Sequence, residues 1–285
     1  FKPEHVSIDK YFATDYLVAY TLGQQLKVFD NGKSKVLTFQ ADCYVISDSI
    51  IAFCDRLTRF FKVYYNGNIT ILEDGVTGPP LKNVKIGDNI LAYIDYSNYF
   101  KIFYRGNTIE LTDLPLRYKA GKNTVAYVDG ASLAFKVFYK GDLYELEVFQ
   151  PKSFKVGDDM VAYIDDSGAF KVFHDGETTT VSSFEPDFYK VEDNIVVYSE
   201  QYFFEVFYKG KHYTLENYIP VNYQLDYNAV VWIDQQGNLK AFYDGQVKTL
   251  TEYEKLNKFE LSGNTIVFNT GINTNKISYK GKIYE

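Results

Sequence analysis

Cysteine is nearly missing from this chain: Cys43 and Cys54 are the only two in 285 residues. That is too few for a disulfide scaffold or a cysteine-rich zinc site. No stretch approaches the ~20 consecutive apolar residues that span a bilayer as a helix, so no transmembrane segment is expected. No segment sustains a helical period either, which leaves helical bundles out. An excess of positive charge is also lacking, since 30 Lys and Arg against 37 Asp and Glu give a net charge of -7. With no segregated basic patch, that sign argues against nucleic acid as a partner. The three histidines, His5, His174 and His212, share no place in the pattern set out below, so no common metal site is expected. Motifs of the G-x-S-x-G, H-E-x-x-H, P-loop and dinucleotide-binding kinds do not occur. No catalytic residue, metal or cofactor is therefore expected.

Aromatic residues, by contrast, are plentiful: 27 Tyr and 23 Phe in a chain that is 46% hydrophobic. Such a chain can bury a large core and is not globally disordered. Its order is periodic. The segment FKVGDDMVAYIDDSGAFKVFHDGETTTV at 154–181 returns as YKAGKNTVAYVDGASLAFKVFYKGDLYEL at 118–146 and as YKVEDNIVVYSEQYFFEVFYKGKHYTL at 189–215. The aromatic that closes the VAY run recurs as Tyr20, Phe53, Tyr93, Tyr127, Tyr163, Tyr198, Trp232 and Phe268. A turn glycine recurs in step, at Gly32, Gly67, Gly106, Gly141, Gly176, Gly210, Gly245 and Gly281. One unit of about 35 residues is thus written eight times.

Within a unit apolar and polar residues alternate, as in Phe135-Lys136-Val137-Phe138-Tyr139-Lys140, which is a strand period. Four short strands fit each unit, in the fifth copy near 153–156, 160–165, 169–174 and 177–181. Turn-forming residues join them into an antiparallel meander. The fourth-to-first connection is longer and carries Pro80, Pro115, Pro151, Pro186 and Pro220; proline has no N–H for a ladder, so these mark crossings between sheets. The expected fold is all-β: an eight-bladed β-propeller of four-stranded antiparallel blades. It forms a single domain over 1–285, with blades near 11–37, 44–73, 84–112, 118–147, 154–182, 189–216, 223–251 and 259–285. The first strand is expected innermost, and residues 1–8 would add a strand or strap at the closure. An open β-solenoid is the competing architecture.

The run Phe154-Lys155-Val156-Gly157-Asp158-Asp159-Met160-Val161-Ala162-Tyr163, followed by Lys171-Val172-Phe173 and Gly176, resembles the short WD40-like blades of TolB-type propellers. The resemblance covers nearly all of the chain. It implies a propeller of a kind that includes enzymes and many binding platforms, among them envelope proteins that dock on membrane-protein partners.

If 43–46 and 51–54 form a hairpin, Cys43 faces Cys54. Directly opposed residues of an antiparallel pair bring Cβ atoms to the ~4–5 Å at which a bridge can form. The alternative is two buried free thiols packed as small hydrophobes. A bridge, together with Phe1 in place of an initial Met, would accord with a periplasmic or secreted chain whose leader has been removed.

An acid closes the second strand in six copies: Asp55, Asp95, Asp129, Asp165, Glu200 and Asp234. A ring of carboxylates could bind cations or a basic partner, but an Asp there more simply accepts hydrogen bonds from its own turn. A lysine row, Lys27, Lys62, Lys101, Lys136, Lys171, Lys240 and Lys276, has Glu205 as its exception and reads as a solvated or stem-packed strand face. Function is expected where copies differ. The loops after strand two vary and place Arg56, Arg59, Tyr96, Tyr99, Tyr202 and Phe203 as candidate partner contacts, large rings in exposed loops being typical of hot spots. The insertion Gly75-Val76-Thr77-Gly78-Pro79-Pro80 breaks the period and marks a candidate docking edge. The leading expectation is a non-enzymatic, exported propeller that binds a protein partner. Its specific form is a periplasmic accessory or plug of an outer-membrane protein translocation channel. The alternative is a carbohydrate- or peptide-binding propeller, hydrolytic or not.

Overall fold

The computed structural model describes residues 10–75, 83–252, 254, 256–271 and 274–284. The proposed strap at 1–8, His5 and the inserted residues from Val76 to Pro80 lie outside the described residues. Among the described residues there are 32 strands in eight four-stranded antiparallel sheets, each ordered one to four along the chain. These blades run over 10–38, 41–73, 85–112, 117–147, 153–182, 189–216, 223–249 and 256–284 and are numbered 1 to 8. The antiparallel meander excludes the open solenoid, whose coils pair in parallel. Two compact units divide the chain, one ending at Val148 and one beginning at Phe149, with four blades in each.

Blade 5 shows how the repeat folds. Its strands are Ser153–Val156, Met160–Ile164, Phe170–His174 and Glu177–Ser182. The second strand is buried at every position, and its Met160 and Ala162 pack against blade 6. Blade 6 meets a neighbour on each side. Val196 and Tyr198 point to blade 5, where they pack on Met160, Ala162, Phe170 and Val172. Ile195 and Val197 point the other way, to Val230, Trp232 and Phe242 of blade 7. At ~1.5–3 kcal/mol for each large apolar side chain removed from water, these interfaces dominate the stability. The fourth strand is the outer edge and alternates exposed with half-buried side chains, as in Glu177–Ser182.

First strands of successive blades approach each other within both units, consistent with their expected inner position. The approach is close enough to require glycine. A Cβ on Gly157 of blade 5 would sit 2.1 Å from the carbonyl oxygen of Asp193 in blade 6, and the N–H of Asp158 donates to that same oxygen at 2.7 Å. The outer hairpin has a different demand. Asp175 and Gly176 both take positive φ, 50° and 84°, the two-residue turn whose twist matches its strands.

One recurring feature has no sequence signature. A register shift sits at the start of the third strand in blades 1 to 6, for example between Phe170 and Lys171. It leaves an extra residue on one strand and increases the local twist.

Candidate functional site

In a meander, loops after strand two and crossings after strand four fall at the same end of a blade. The recurrent acids stand at this crossing end, buried in five blades: Asp55, Asp95, Asp129, Asp165 and Asp234. One carboxylate oxygen of each serves its own loop. Asp165 Oδ1 accepts from the N–H of Gly168 at 2.9 Å and of Ala169 at 2.8 Å. Asp95 Oδ1 accepts from Ser97 and Tyr99, both at 2.8 Å. The turn-capping expectation therefore holds. The other oxygen corrects the reading of the lysine row. Lys62, Lys136 and Lys171 pair with Asp55, Asp129 and Asp165 at 2.7, 3.0 and 2.9 Å, and Lys101 and Lys240 pair with Asp95 and Asp234 at 2.5 and 3.3 Å. These ammonium groups are largely shielded from water. Strand register sets Lys171 directly opposite Tyr163, two residues from Asp165 and so on the same face of the sheet.

Burial alone would raise the carboxyls of Asp129 and Asp165, but the lysine and loop N–H or O–H donors outweigh it and hold both at about 2. Lys240 also reaches Glu216 in the preceding blade at 2.8 Å, and the same Glu216 oxygen accepts from Trp232 Nε1 at 2.9 Å. The lysine row thus ties neighbouring blades as well as its own loop.

Blade 6 departs from this scheme. Glu200 takes the acid's place, and Glu205, buried opposite Tyr198, takes the lysine's. Burial pushes the Glu205 carboxyl up; Thr214 and His212 oppose the rise, and the Glu200 charge adds to it. A carboxyl raised in the folded state costs stability above its ordinary pKa, and the cost disappears as pH falls and the group protonates. Glu205→Gln is expected to stabilise the fold at pH 7, by roughly 1 kcal/mol. The gain should vanish on acidification, as read from urea midpoints at a series of pH values.

Arg56, Arg59, Tyr96 and Tyr99 lie on the loops of blades 2 and 3 in the first unit, and Tyr202 on the loop of blade 6 in the second; Phe203, expected in that loop, instead opens the third strand Phe203–Tyr208, paired with Glu200. All six are exposed. Arg56 is 3.9 Å from Asp42, and Tyr202 is 80% exposed. The structure adds exposed apolar residues on the crossings, Leu114, Phe149, Phe184 and Val221. Sequence reasoning used these segments only as boundaries, through their prolines. The available signal was a large apolar residue beside a proline in a polar connector. On blade 6 the crossing and the loop enclose a cleft of about 280 Å³, lined by Phe184, Glu185, Asp187, Ser199, Glu200 and Gln201 among others.

Cys43 stands opposite Cys54, as the hairpin register anticipates. Both are free thiols here, Cys54 buried and Cys43 partly so. The ladder already holds the strands, so the pair needs no covalent bond to stay in register. The Cys54 thiol donates to Cys43, and this hydrogen bond draws the Cys43 pKa down while Cys54 is pushed up. Mass analysis after alkylation in denaturant, without reductant, is expected to find two modified cysteines; an unmodified chain lighter by two hydrogens would show a bridge.

His174 and His212 lie on separate blades; the latter meets the Tyr198 hydroxyl at 3.1 Å. Among the described residues no group of three or more His, Cys, Asp or Glu is placed to hold a metal ion. Nor is any helix among them long and apolar enough to cross a membrane.

The family described as the 10-bladed beta propeller domain matches residues 4–284. Its name gives ten blades, whereas eight sheets occur among the described residues here. No curated protein matches the sequence. Among solved structures, the computationally designed Ika8 protein is 17% identical, with 97% of each chain covered and a TM-score of 0.39. PorZ, a surface component of the type-IX secretion system of Porphyromonas gingivalis, is 10% identical over 96% of this chain and 44% of its own, with a TM-score of 0.36. The β-propeller domain of the Trilobed protease from Pyrococcus furiosus is 12% identical over 97% of this chain and 96% of its own, with a TM-score of 0.35.

Proposed function

Since the chain belongs to the 10-bladed β-propeller family, we propose that it is a non-enzymatic platform that binds another protein through the crossing ends of its blades. The observation that carries this reading is the set of exposed large apolar side chains at those ends, which the repeat does not require. Tyr96, Tyr99 and Leu114 supply them in the first unit, and Phe184, Tyr202 and Val221 in the second. Each could be polar without loss to a blade core. Exposed rings of this kind anchor protein interfaces, where burying one contributes about 2 kcal/mol or more.

The more specific form of the proposal is an exported subunit seated on an outer-membrane protein translocation channel. Affinity purification of the tagged chain from native membranes tests both forms. A reproducible protein partner, lost in Tyr99→Ala and Tyr202→Ala variants that keep the wild-type unfolding midpoint, is the expected result. Recovery with an outer-membrane channel supports the specific form. Glycan binding abolished by the same substitutions, with no protein partner, would replace the platform reading with a carbohydrate-binding one.

A further inference from the structure

Of the six blades with an acid at the end of strand two, blade 6 is the one whose third strand answers it with a second acid instead of a lysine. In blades 2, 3, 4, 5 and 7 the acid at the end of strand two is neutralised by a lysine from strand three. In blade 6 the corresponding positions are Glu200 and Glu205, and among the described residues no lysine answers Glu200. A pairing that recurs in five blades serves the blade, so a departure from it is free to serve something else. The cleft beside Glu200 carries two further acids. Glu185 is already engaged by Lys152 at 2.9 Å, whereas Asp187 and Glu200 have no ion pair among the described residues. Among the described residues no lysine or arginine lines the cleft. Two exposed aromatics stand at this end of the blade: Phe184, 74% exposed, on the crossing that lines the cleft, and Tyr202, 80% exposed, in the loop next to the lining residue Gln201. Apolar faces flanked by unneutralised carboxylates complement an arginine or lysine side chain, whose stem packs on a ring while its head meets the acid.

We propose that the crossing end of blade 6 is the docking site for a cationic segment of a partner protein, with Asp187 and Glu200 receiving its Lys or Arg heads and Phe184 and Tyr202 its stems. This rests on the platform reading and gives it a location and a sign. An anionic or neutral polar segment would leave the two carboxylates unanswered. A nucleic acid would be repelled by them.

The test uses a fluorescein-labelled decapeptide alternating arginine and leucine, with a glutamate-for-arginine counterpart, and reads anisotropy against the full chain. The arginine peptide is expected to bind, and the glutamate peptide not to. Affinity should fall several-fold as salt rises from about 50 to 300 mM, since the pairs are exposed. The double variant Asp187→Asn/Glu200→Gln is expected to weaken binding about tenfold, and Tyr202→Ala by a similar factor. All these positions are exposed or half-buried, and an unchanged unfolding midpoint confirms that each variant is folded. Equal binding of the two peptides, no binding of either, or indifference to the double variant would overturn the proposal. Self-association of the chain that the double variant abolishes would assign the surface to a second copy and also overturn it. Failure here is separable from failure of the platform. A membrane partner retained by the double variant but lost with Tyr99→Ala leaves the platform standing and removes the cationic site.

Discussion

Phe170→Ala is expected to lower the free energy of unfolding by about 3–5 kcal/mol, the cost of emptying a large site that cannot collapse. Phe170 is fully buried at the start of the third strand of blade 5. Its ring lies 5.1 Å from that of Tyr189 and 5.3 Å from that of Tyr198, both in blade 6. Truncation therefore removes contacts within one blade and between two. The neighbouring strands are held by their own ladders, so the void has little freedom to close. Phe184→Ala removes the same atoms from an exposed position on the crossing and should stay within about 0.5 kcal/mol of the parent. Urea denaturation of both variants reads the contrast directly. Similar midpoints for the two would mean that the blade 5–blade 6 interface is not the dry aromatic contact described above.

The second large effect is on acid stability. Asp55, Asp95, Asp129, Asp165 and Asp234 all have carboxyls held below their ordinary value of 3.8. Burial opposes this in each case, and the paired lysine with its loop donors prevails. A carboxyl depressed in the folded state binds its proton more tightly when the chain is unfolded. Its contribution is therefore complete above the unfolded pKa and is lost as pH falls through the folded one. For Asp129 and Asp165, at about 2, the window runs from roughly pH 4 down to 2, and each contributes about 2 kcal/mol at neutral pH. Asp165→Asn keeps an oxygen for the Gly168 and Ala169 N–H groups but removes the Asp165 charge from beside the Lys171 ammonium, 20% exposed. The expected loss is about 1–3 kcal/mol at pH 7, shrinking towards pH 2 as the parent protonates. Thermal melts from pH 7 to 2 would show the two curves converging. A constant gap would place the effect in the loop geometry rather than in the charge.

Much of the fold was legible because the repeat states it in two registers and in the runs aligned on Phe154, Tyr118 and Tyr189. Tyr163, Phe154 and Gly176 fall where the second strand, the first strand and the outer hairpin of blade 5 need an aromatic, an aromatic and a positive-φ residue. The strands of that blade begin and end within one residue of those read from alternation. The capping role of Asp165 was also legible, since Asp before a short loop has a local mechanism. Its ion pair was not, because Lys171 lies in another strand and the contact follows from register, which the turn length sets only indirectly. The shift between Phe170 and Lys171 was invisible for a related reason: no glycine or proline marks it. At the candidate surface, Tyr96, Tyr99, Tyr202 and Phe203 could be found as variation among copies. Phe184 and Val221 stood beside prolines that assigned their segments to connection, which hid the apolar side chain each connector carries.

The second strand of blade 6 answers to two neighbours, odd positions to one side and even positions to the other. Adding or deleting one residue there would exchange the two allegiances and set side chains of the wrong size against both partners at once. Length can change without that exchange only in the connectors or by whole repeats. The one long step in the period, between the second and third copies, falls in a connector. A lineage built this way would be expected to differ among its members in blade number and loop length while strand two keeps its count.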